Sequence, residues 1–299
     1  MAPHNGDRPF LVGLIGAGIQ TSLSPALHER EAEQLGLRCR YRLLDLAEQG
    51  RPPDAVGEIL TATRLAGFDG VNITHPVKQL VLQHLDAVAP DAAALGAVNT
   101  VVFTDGRAEG HNTDMPGFAR SLRTGLPDAA LDRVVLLGAG GAGAAVAHAL
   151  LNLGAGSVHI LDTDAGRSST LARSATDRFG PGRAVAVPLS ALADELREAD
   201  GLVHATPTGM EGHPGLPVAA ELLRPELWVA DVVYRPLATD LVNTARVRGC
   251  RVLDGGRMAV FQAAYAFELF TGVEPDTGRM LRHFDDLVHP QGRRDAHAQ

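Results

Sequence analysis

Hydrophobic residues form two kinds of segment that alternate along the chain. Short runs of aliphatic and β-branched residues, closed by glycine, proline or acidic residues, are typical of buried strands. They occur at residues 10–16, 40–44, 70–74, 97–103, 134–137, 158–161, 184–187, 201–205 and 228–233, and one more ends near 110–114. Longer segments with apolar residues three or four positions apart predict helices at residues 25–36, 52–65, 77–84, 115–122, 144–153 and 258–270. Ser24 is the expected cap of the helix that opens at Pro25. This alternation predicts an α/β fold built on largely parallel sheets.

Residues 134–162 hold the clearest pattern, because a strand, a glycine cluster, a helix and a second strand follow in order. Gly138 allows a sharp turn, Gly140 allows the backbone to approach a diphosphate, and Gly143 allows close packing of helix on strand. The first N–H groups of the helix favour a phosphate. Asp162 ends the second strand, where an acidic residue binds the adenosine ribose. A tight turn in another α/β protein is the alternative, but the ordered set favours a Rossmann-type, doubly wound dinucleotide-binding domain. Its glycine loop comprises Gly138, Ala139, Gly140, Gly141, Ala142 and Gly143.

The bulk properties of the chain exclude several classes of function. A formal charge of -8 repels a phosphate backbone, and an aromatic content of 4% leaves few platforms for stacked bases, so no nucleic-acid partner is expected. Cys39 and Cys250 are isolated, which predicts neither a disulfide framework nor a metal site. The N-terminus shows no apolar signal segment, and the apolar stretch 134–158 is interrupted by glycine and polar residues, so no membrane span is expected. These features favour a soluble cytoplasmic protein.

Short polar residues stand at the ends of several predicted strands, where open α/β sheets bind their ligands. They belong to the ordered motifs Ser22-Leu23-Ser24-Pro25, Asn72-Ile73-Thr74-His75-Pro76 with Lys78, Gly96-Ala97-Val98-Asn99-Thr100, Gly110-His111-Asn112-Thr113-Asp114, Ala205-Thr206-Pro207-Thr208-Gly209-Met210, Asp231-Val232-Val233-Tyr234-Arg235-Pro236, and Met258 with Gln262. Through these motifs the chain resembles the shikimate dehydrogenases from Gly13 to about Leu287. Within that family it looks most similar to the actinobacterial NAD-dependent quinate/shikimate dehydrogenases.

The resemblance implies a role for each polar residue of these motifs. Ser22 and Ser24 would hold the carboxylate of the substrate. The ring hydroxyls would be bound by Asn72, Asn99, Asp114 and Gln262, with Thr74 in the same polar set and Tyr234 close to the substrate. Taken singly, each serine, threonine or asparagine is equally well explained as an ordinary cap or turn residue.

Lys78, in the first turn of the predicted helix 77–84, and Asp114 are the expected catalytic residues. Oxidation of a secondary alcohol needs a base for the hydroxyl proton while hydride leaves the carbon. Lysine is a base only in its neutral form, which burial favours and the charge of Asp114 opposes, and the sequence leaves this balance open. We expect Lys78 to transfer the proton and Asp114 to orient both Lys78 and the reacting hydroxyl. The alternative is an ordinary surface lysine, and His75 is assigned to the loop rather than to chemistry.

The segment after the second strand of the dinucleotide domain predicts the cofactor. NADP-dependent members of the family typically carry Asn-Arg-Thr there, and the arginine binds the ribose phosphate. This chain has Asp162, Thr163 and Asp164, with Arg167 farther along. Carboxylates accept hydrogen bonds from a free 2′-hydroxyl and repel a 2′-phosphate, so NAD is predicted over NADP. The resemblance further assigns to the cofactor the residues Thr206, Pro207, Gly209, Met210, Val233, Gly255 and Met258.

The length of 299 residues is enough for two domains. Residues 1–114, completed by 257–288, are expected to bind the substrate, and residues 115–256 are expected to bind NAD, with a cleft between the two. Residues 289–299 are expected to be a flexible tail. The predicted reaction is reversible oxidation of shikimate to 3-dehydroshikimate and of quinate to 3-dehydroquinate, since Ser24 is compatible with shikimate and does not exclude quinate.

Three other functions stay open on the sequence alone. The first is a strict NADP-dependent shikimate dehydrogenase of aromatic amino-acid biosynthesis, and the second is an aminoshikimate or aminoquinate dehydrogenase. The third, from a different class, is a non-catalytic sensor of quinate or NAD, against which Lys78 and Asp114 argue. The sequence does not distinguish a monomer from a homodimer.

Overall fold

The computed structural model describes residues 8–289. The chain divides into two compact units: the first runs to Thr113 and resumes at Val260, and the second is Asp114–Ala259. Pro290 and the residues after it, which make up nearly all of the predicted tail, lie outside the described residues. No helix in the described part of the chain is long and apolar enough to cross a membrane.

Strands and helices alternate along most of the described residues, as the hydrophobic pattern predicts. The strands are β1 (Phe10–Gly16), β2 (Cys39–Asp45), β3 (Gly70–Ile73), β4 (Ala87–Val88), β5 (Thr100–Thr104), β6 (Arg107–His111), β7 (Arg133–Leu137), β8 (Ser157–Leu161), β9 (Ala184–Ala186), β10 (Gly201–His204), β11 (Trp228–Asp231) and β12 (Arg251–Leu253). The α-helices are α1 (Ser24–Gln34), α2 (Val56–Leu65), α3 (Pro90–Leu95), α4 (Asp114–Gly125), α5 (Gly141–Asn152), α6 (Ala165–Phe179), α7 (Leu192–Glu198), α8 (Asp240–Val247), α9 (Gly256–Thr271) and α10 (Thr277–Val288). Short 3-10 helices lie at Pro53–Ala55, Leu80–His84, Leu189–Ala191 and Ala220–Leu222.

The sheet of the first unit is mixed, with strand order β2-β1-β3-β5-β6-β4. Strand β1 is parallel to β2 and β3, whereas β5 is antiparallel to both β3 and β6. Asp105 and Gly106, which join β5 to β6, have φ angles of 51° and 75°. Positive φ at both central residues is the geometry of a two-residue hairpin turn. This hairpin reverses the chain, so the sheet departs from the largely parallel pattern that the sequence predicts.

The sheet of the second unit is parallel throughout, with strand order β12-β11-β10-β7-β8-β9. The chain runs outward from β7 through β8 to β9, then crosses to the other side of β7 and continues through β10 to β12. The strand order therefore reverses between β7 and β10, which is where doubly wound sheets bind their ligands. The register brings Leu137, Leu161, His204 and Asp231 into one row at the carboxyl ends of their strands. The predicted Rossmann-type α/β fold is confirmed.

The core of the first unit lies on both faces of its sheet. Successive strand residues point to opposite faces, so Phe10 and Val12 of β1 pack with Phe267 of α9, whereas Ile15 packs in the cluster that contains Leu60 of α2. A helix therefore covers each face of the sheet.

The core of the second unit depends on one glycine. Trp228 at the start of β11 is fully buried, and its indole Nε1 donates to the carbonyl of Ala130 at 2.8 Å. A Cβ added at Gly201 of the neighbouring strand would lie 1.9 Å from Trp228 Cε2. Residue 201 must therefore be glycine for the indole to lie across β10.

Two local predictions differ from the structure. Leu23, not a serine, is the N-cap residue of α1, no side chain caps that helix, and Ser24 is its first residue. The segment predicted as helix 77–84 forms only the 3-10 helix Leu80–His84, and Lys78 lies in the turn before it. Tertiary hydrogen bonds override helical periodicity here, since Val98 N donates to the carbonyl of Lys78 at 2.9 Å.

Helix α10, which the hydrophobic pattern did not single out, is joined to α1 through the buried Glu31. Its carboxylate accepts hydrogen bonds from Arg279 Nε at 2.9 Å and Nη2 at 2.5 Å, and from Asp276 N at 2.8 Å. A buried carboxylate is stable only with such partners. This paired contact therefore fixes the C-terminal helix on the first unit.

His28 of α1 should make the first unit sensitive to acid. Its ring is buried beside Tyr41 and Phe267, and burial lowers the pKa of His28 from 6.5 to about 4 despite the hydrogen bond with the Ser24 carbonyl. The folded protein keeps His28 neutral, whereas the unfolded chain binds a proton below its ordinary pKa. Protonation of His28 in the unfolded chain therefore costs no stability well above pH 6.5. It lowers the free energy of unfolding by roughly 3 kcal/mol as the pH falls from 6.5 to 4.

Urea unfolding of the wild type and His28→Met between pH 7 and pH 4.5 tests this dependence. The variant should lose part of the acid slope, because methionine does not titrate. Equal slopes for wild type and His28→Met would contradict the assignment.

Candidate active site

Backbone hydrogen bonds gather the predicted substrate residues of the first unit at the carboxyl ends of β1 and β3. Thr74 N donates to the carbonyl of Ile15 at 2.9 Å, and Ile73 N donates to the carbonyl of Asn99 at 2.7 Å. The bond from Val98 N to the Lys78 carbonyl brings the backbone of Lys78 beside the same segment. Segments distant in the sequence, with Thr74, Lys78 and Asn99, thus meet at one edge of the sheet.

Asn72 and Asn99 belong to one buried hydrogen-bond network. Tyr41 Oη donates to Asn72 Oδ1 at 2.8 Å, and Asn72 Nδ2 donates to Thr100 Oγ1 at 3.0 Å and to the Asn99 carbonyl at 3.3 Å. Asn99 Oδ1 accepts from Thr113 N at 2.7 Å, and Asn99 Nδ2 donates to Thr113 Oγ1 at 2.9 Å. Both amide hydrogens of Asn72 are used within the protein, and Oδ1, which already accepts from Tyr41, has a second lone pair for a further hydrogen bond.

Ser22 and Ser24 lie together at the start of α1. Ser22 Oγ donates to Ser24 Oγ at 3.2 Å and accepts from Ser24 N at 3.3 Å. Two hydroxyl groups this close, both only half-buried, form a compact polar pair in which Ser22 donates its hydrogen to Ser24 and Ser24 Oγ keeps a hydrogen to donate.

Asp45, at the end of β2, holds the loop that leads to these serines. Its carboxylate accepts hydrogen bonds from Gly18 N at 2.9 Å, Ile19 N at 2.8 Å, Ala47 N at 3.0 Å and Gln20 Nε2 at 3.2 Å. Burial raises the pKa of Asp45, but these hydrogen bonds together outweigh burial and leave the pKa below its ordinary value. Asp45 therefore stays ionised and keeps the loop fixed.

The remaining predicted substrate and catalytic residues are divided between the two units. Lys78 is half-buried in its turn, and Gln262 is half-buried on α9, both in the first unit. Asp114 is buried at the first residue of α4, and Tyr234 is half-buried after β11, both in the second unit. Lys78 is also the one lysine among the 27 lysine and arginine residues of the chain.

The glycine turn after β7 has the geometry that a diphosphate requires. Gly138 has a φ of 102°, and a Cβ at Gly143 would lie 2.0 Å from the Gly138 carbonyl oxygen, so both positions need glycine. A Cβ at Gly140 would meet no atom of residues 8–289 within 4 Å, and Gly140 caps α5 without a side chain. Open space at the N-terminus of a helix, with its unpaired N–H groups, fits an anionic diphosphate.

Asp162 follows β8 directly beside this turn. Its Oδ2 accepts from Ala139 N at 2.7 Å, and its Oδ1 accepts from Asp164 N at 2.8 Å. Asp164 caps α6 by accepting from Gly166 N at 2.8 Å, and its carboxylate lies 3.6 Å from Arg167 Nε. A carboxylate oxygen can accept more than one hydrogen bond, so Asp162 remains able to accept from a ribose hydroxyl.

The loops after β10, β11 and β12 complete this edge of the second sheet. A Cβ at Gly138 would lie 2.6 Å from the Ala205 carbonyl oxygen and 3.0 Å from Thr206 Cγ2, so Thr206 packs on the glycine turn. A Cβ at Gly255 would lie 2.5 Å from the Val233 carbonyl oxygen. The other residues predicted to bind the cofactor are Thr163, which is exposed, Pro207, Gly209 and Met210 in the loop after β10, and Met258, which is buried in the first turn of α9.

Comparisons with known proteins identify the family. Residues 14–101 match the model of the shikimate dehydrogenase substrate-binding domain, and residues 256–283 match that of the shikimate 5′-dehydrogenase C-terminal domain. The shikimate dehydrogenase (NADP(+)) of Streptomyces avermitilis is 63% identical over 279 residues, which cover 93% of this chain and 96% of that protein. The chain belongs to the shikimate dehydrogenase family.

Two Corynebacterium proteins extend the comparison within the shikimate dehydrogenase family. The quinate/shikimate dehydrogenase (NAD(+)) of Corynebacterium efficiens is 47% identical, with 93% of this chain and 98% of that protein covered. The structure of quinate dehydrogenase from Corynebacterium glutamicum in complex with NAD superposes with a TM-score of 0.85 at 45% identity, with 92% of this chain and 98% of that chain covered. A nicotinamide dinucleotide is thus the cofactor class of the family, and the relatives differ in whether their names give NAD or NADP.

Sequence reasoning missed several residues that organise the site of this shikimate dehydrogenase family member. Tyr41, Asp45, Thr100 and Thr113 hold the predicted substrate residues, and His204 lies behind Thr206. Thr100 and Thr113 stand inside the motifs at residues 96–100 and 110–114, so the sequence could have identified both of them.

Among residues 8–289, no group of three or more His, Cys, Asp or Glu side chains is arranged to hold a metal ion.

Proposed function

We propose that this protein is a quinate/shikimate dehydrogenase that oxidises the ring hydroxyl of either substrate reversibly with NAD. The observation that carries the proposal is the carboxylate of Asp162, held beside the glycine turn by Ala139 N and Asp164 N. A fixed carboxylate at this position accepts a hydrogen bond from a free ribose hydroxyl and repels a phosphate.

The substrate is assigned to the polar set of the first unit. Ser22 and Ser24 bind the carboxylate of shikimate or quinate through the paired hydroxyls, and Asn99 and Thr74 bind ring hydroxyls. Asn72 contributes through its carbonyl oxygen, since its amide hydrogens are used by Thr100 and Asn99. Gln262 and Tyr234 complete the proposed substrate set.

We assign the transfer of the hydroxyl proton to Lys78 and the orientation of the reacting hydroxyl to Asp114. Hydride acceptance is the chemistry that the bound dinucleotide supplies. Lys78 Nζ takes the proton of the hydroxyl as the hydride leaves the carbon that bears this hydroxyl. In the reverse direction Lys78 returns a proton to the ketone oxygen.

The proposed substrate domain is residues 1–114 with 257–288, and the proposed NAD domain is residues 115–256. Their bounds are close to those of the two compact units.

A strict NADP-dependent shikimate dehydrogenase is the second candidate. The name of the Streptomyces avermitilis relative favours it, and so does Arg167 in the first turn of α6, where a guanidinium is available to a phosphate. Asp164 opposes it, because this carboxylate lies 3.6 Å from Arg167 Nε and offsets the arginine charge.

Initial rates for shikimate and for quinate, each with NAD and with NADP, test the proposal. We expect turnover of both substrates with NAD. Turnover of shikimate alone with NADP would instead establish the biosynthetic enzyme. No turnover with any pair, combined with tight binding, would favour the sensor, and turnover only of amino-substituted substrates would favour the aminoshikimate or aminoquinate enzyme.

Asp162→Asn should shift the cofactor preference towards NADP. The amide keeps one oxygen to accept from Ala139 N but removes the negative charge, so the repulsion of a 2′-phosphate is lost. We expect the ratio of kcat/KM for NAD to kcat/KM for NADP to fall about tenfold, which corresponds to roughly 1.4 kcal/mol. Asp162→Ala, which also removes the loop contact, should lose much of the discrimination and weaken both cofactors. A wild-type preference for NADP would contradict the role given to Asp162.

A further inference from the structure

A buried histidine and aspartate lie directly behind the residues assigned to the dinucleotide. His204 ends β10 and Asp231 ends β11, where the register pairs them, and both side chains are fully buried. His204 Nδ1 lies 2.9 Å from Asp231 Oδ1, and His204 Nε2 lies 2.5 Å from Thr206 Oγ1. The imidazole thus spans from the interior of the sheet to the first loop residue after it.

The chemistry of Asp231 fixes the hydrogen on one ring nitrogen. An ionised carboxylate only accepts hydrogen bonds, so Nδ1 of His204 carries a hydrogen and donates it to Asp231. Nε2 of His204 is hydrogen-bonded to Thr206 Oγ1, which also accepts from Thr208 N at 3.3 Å and donates to Thr208 Oγ1 at 3.2 Å. Both ring nitrogens of His204 therefore have a partner, one inside the sheet and one at the start of the loop.

Asp231 extends the same network to the neighbouring loop and helix. Its Oδ1 also accepts from Val233 N at 3.0 Å, and its Oδ2 accepts from Thr239 Oγ1 at 2.7 Å. Thr239 caps α8 by accepting from Val242 N at 3.1 Å. One buried pair therefore fixes both Thr206 and Val233, the two strand-end segments assigned to the cofactor.

Thr206 transmits this constraint to the glycine turn. Its methyl group lies close to Gly138, since a Cβ built there would be 3.0 Å from Thr206 Cγ2. Rotation of the Thr206 side chain would move its methyl group against the turn that receives the diphosphate. The hydrogen bond to His204 prevents that rotation by holding the hydroxyl inward.

We propose that His204, oriented by Asp231, is a positioning residue for dinucleotide binding, which acts through the hydroxyl of Thr206 on the Gly138 turn. The proposal rests on the proposed function only in taking this edge of the sheet as the dinucleotide site. His204 does not touch the cofactor, and its effect reaches the nucleotide through one hydrogen bond.

His204→Asn cuts this link selectively, because the asparagine amide reaches the position of Nδ1 and can still donate to Asp231 but stops short of Thr206. We expect the dissociation constant for NADH or NADPH, measured by its fluorescence, to rise about five- to tenfold, as for loss of one hydrogen bond. The KM for shikimate and the kcat at saturating dinucleotide should stay within twofold. Thr206→Val, which keeps the side-chain shape, should raise the dissociation constant by a similar factor, and Thr206→Ser, which keeps the hydroxyl, should retain most of the affinity.

Two further measurements separate positioning from general stability. The double variant His204→Asn, Thr206→Val should bind no more weakly than either single variant, because both remove the same hydrogen bond. His159→Asn is the matched control, since it breaks another histidine–carboxylate pair of the same unit, 2.6 Å from Glu195, and should lower Tm without changing the NADH dissociation constant. A His204→Asn protein with lower Tm but unchanged dinucleotide affinity, or additive losses in the double variant, would overturn the proposal. If the wild type binds NADH but oxidises neither substrate, the proposed function fails while the affinities still decide the role of His204.

Discussion

Lys78→Ala should lower kcat for shikimate oxidation by about a thousandfold, within the range that a positioned acid–base group contributes. The variant should still fold, since Lys78 lies in a turn and its neighbours are held by backbone hydrogen bonds such as that from Val98 N. The KM for the dinucleotide should change little, because Lys78 is in the first unit and the glycine turn is in the second. Initial rates at saturating NAD, with circular dichroism as a folding check, give the comparison.

Lys78→Arg is the matched variant that separates proton transfer from charge. Arginine keeps the length and the positive charge but does not lose its proton in proteins. If Lys78 transfers the proton, the arginine variant should be nearly as inactive as the alanine variant. Near-normal turnover by either variant would exclude Lys78 as the base.

The composition of the chain gives this experiment added weight. Of its 27 lysine and arginine residues, Lys78 is the one lysine. Arginine serves for ion pairs and surface charge throughout, whereas a base that must release its proton cannot be arginine. An amine-directed reagent such as acetic anhydride can therefore modify one side-chain amine in this protein, together with the N-terminal amine. Inactivation that shikimate prevents, with the modification found at Lys78, would support the assignment without any substitution.

The sequence predicts the central strands of the second unit directly, for a physical reason. Parallel strands buried on both faces are continuous apolar runs, so β7, β8, β10 and β11 could be recognised directly from composition. In the first unit, the segment at 77–84 has helical periodicity but is bound through Lys78 and Val98 to distant residues, and it forms only a short 3-10 helix. The direction of β5 relative to β3 depends on pairing that local sequence does not specify.

The candidate site likewise contains residues that local sequence identifies and residues whose roles depend on tertiary pairing. Residues such as Asn72 and Asn99 could be selected because they stand in recognisable motifs at strand ends. Tyr41 could not, because its relation to Asn72 depends on two strands meeting across the sheet through β1. His204 was assigned to a strand, but its pairing with Asp231 follows from a register that joins residues 27 positions apart.

Gly140→Ala should abolish most dinucleotide affinity while leaving the apoprotein as stable as the wild type. Gly140 has a φ of -78° and a ψ of -168°, which alanine adopts without strain, and a Cβ there meets no atom within 4 Å in the described part of the chain. The added methyl group would instead occupy the space through which the backbone approaches the diphosphate. We expect the NADH dissociation constant to rise more than about tenfold, which is more than 1.4 kcal/mol.

Gly143→Ala is the counterpart in which the protein itself is disturbed. A Cβ at Gly143 would lie 2.0 Å from the carbonyl oxygen of Gly138, and a backbone atom cannot move aside as a flexible side chain can. We expect the free energy of unfolding, measured with urea in the absence of dinucleotide, to fall by about 3 kcal/mol or more, together with loss of NADH binding. Because a methyl group at residue 140 meets no atom of the described residues within 4 Å, reduced binding by Gly140→Ala with unchanged unfolding identifies the glycine turn as the diphosphate site. Wild-type NADH affinity in Gly140→Ala would mean that the dinucleotide binds elsewhere.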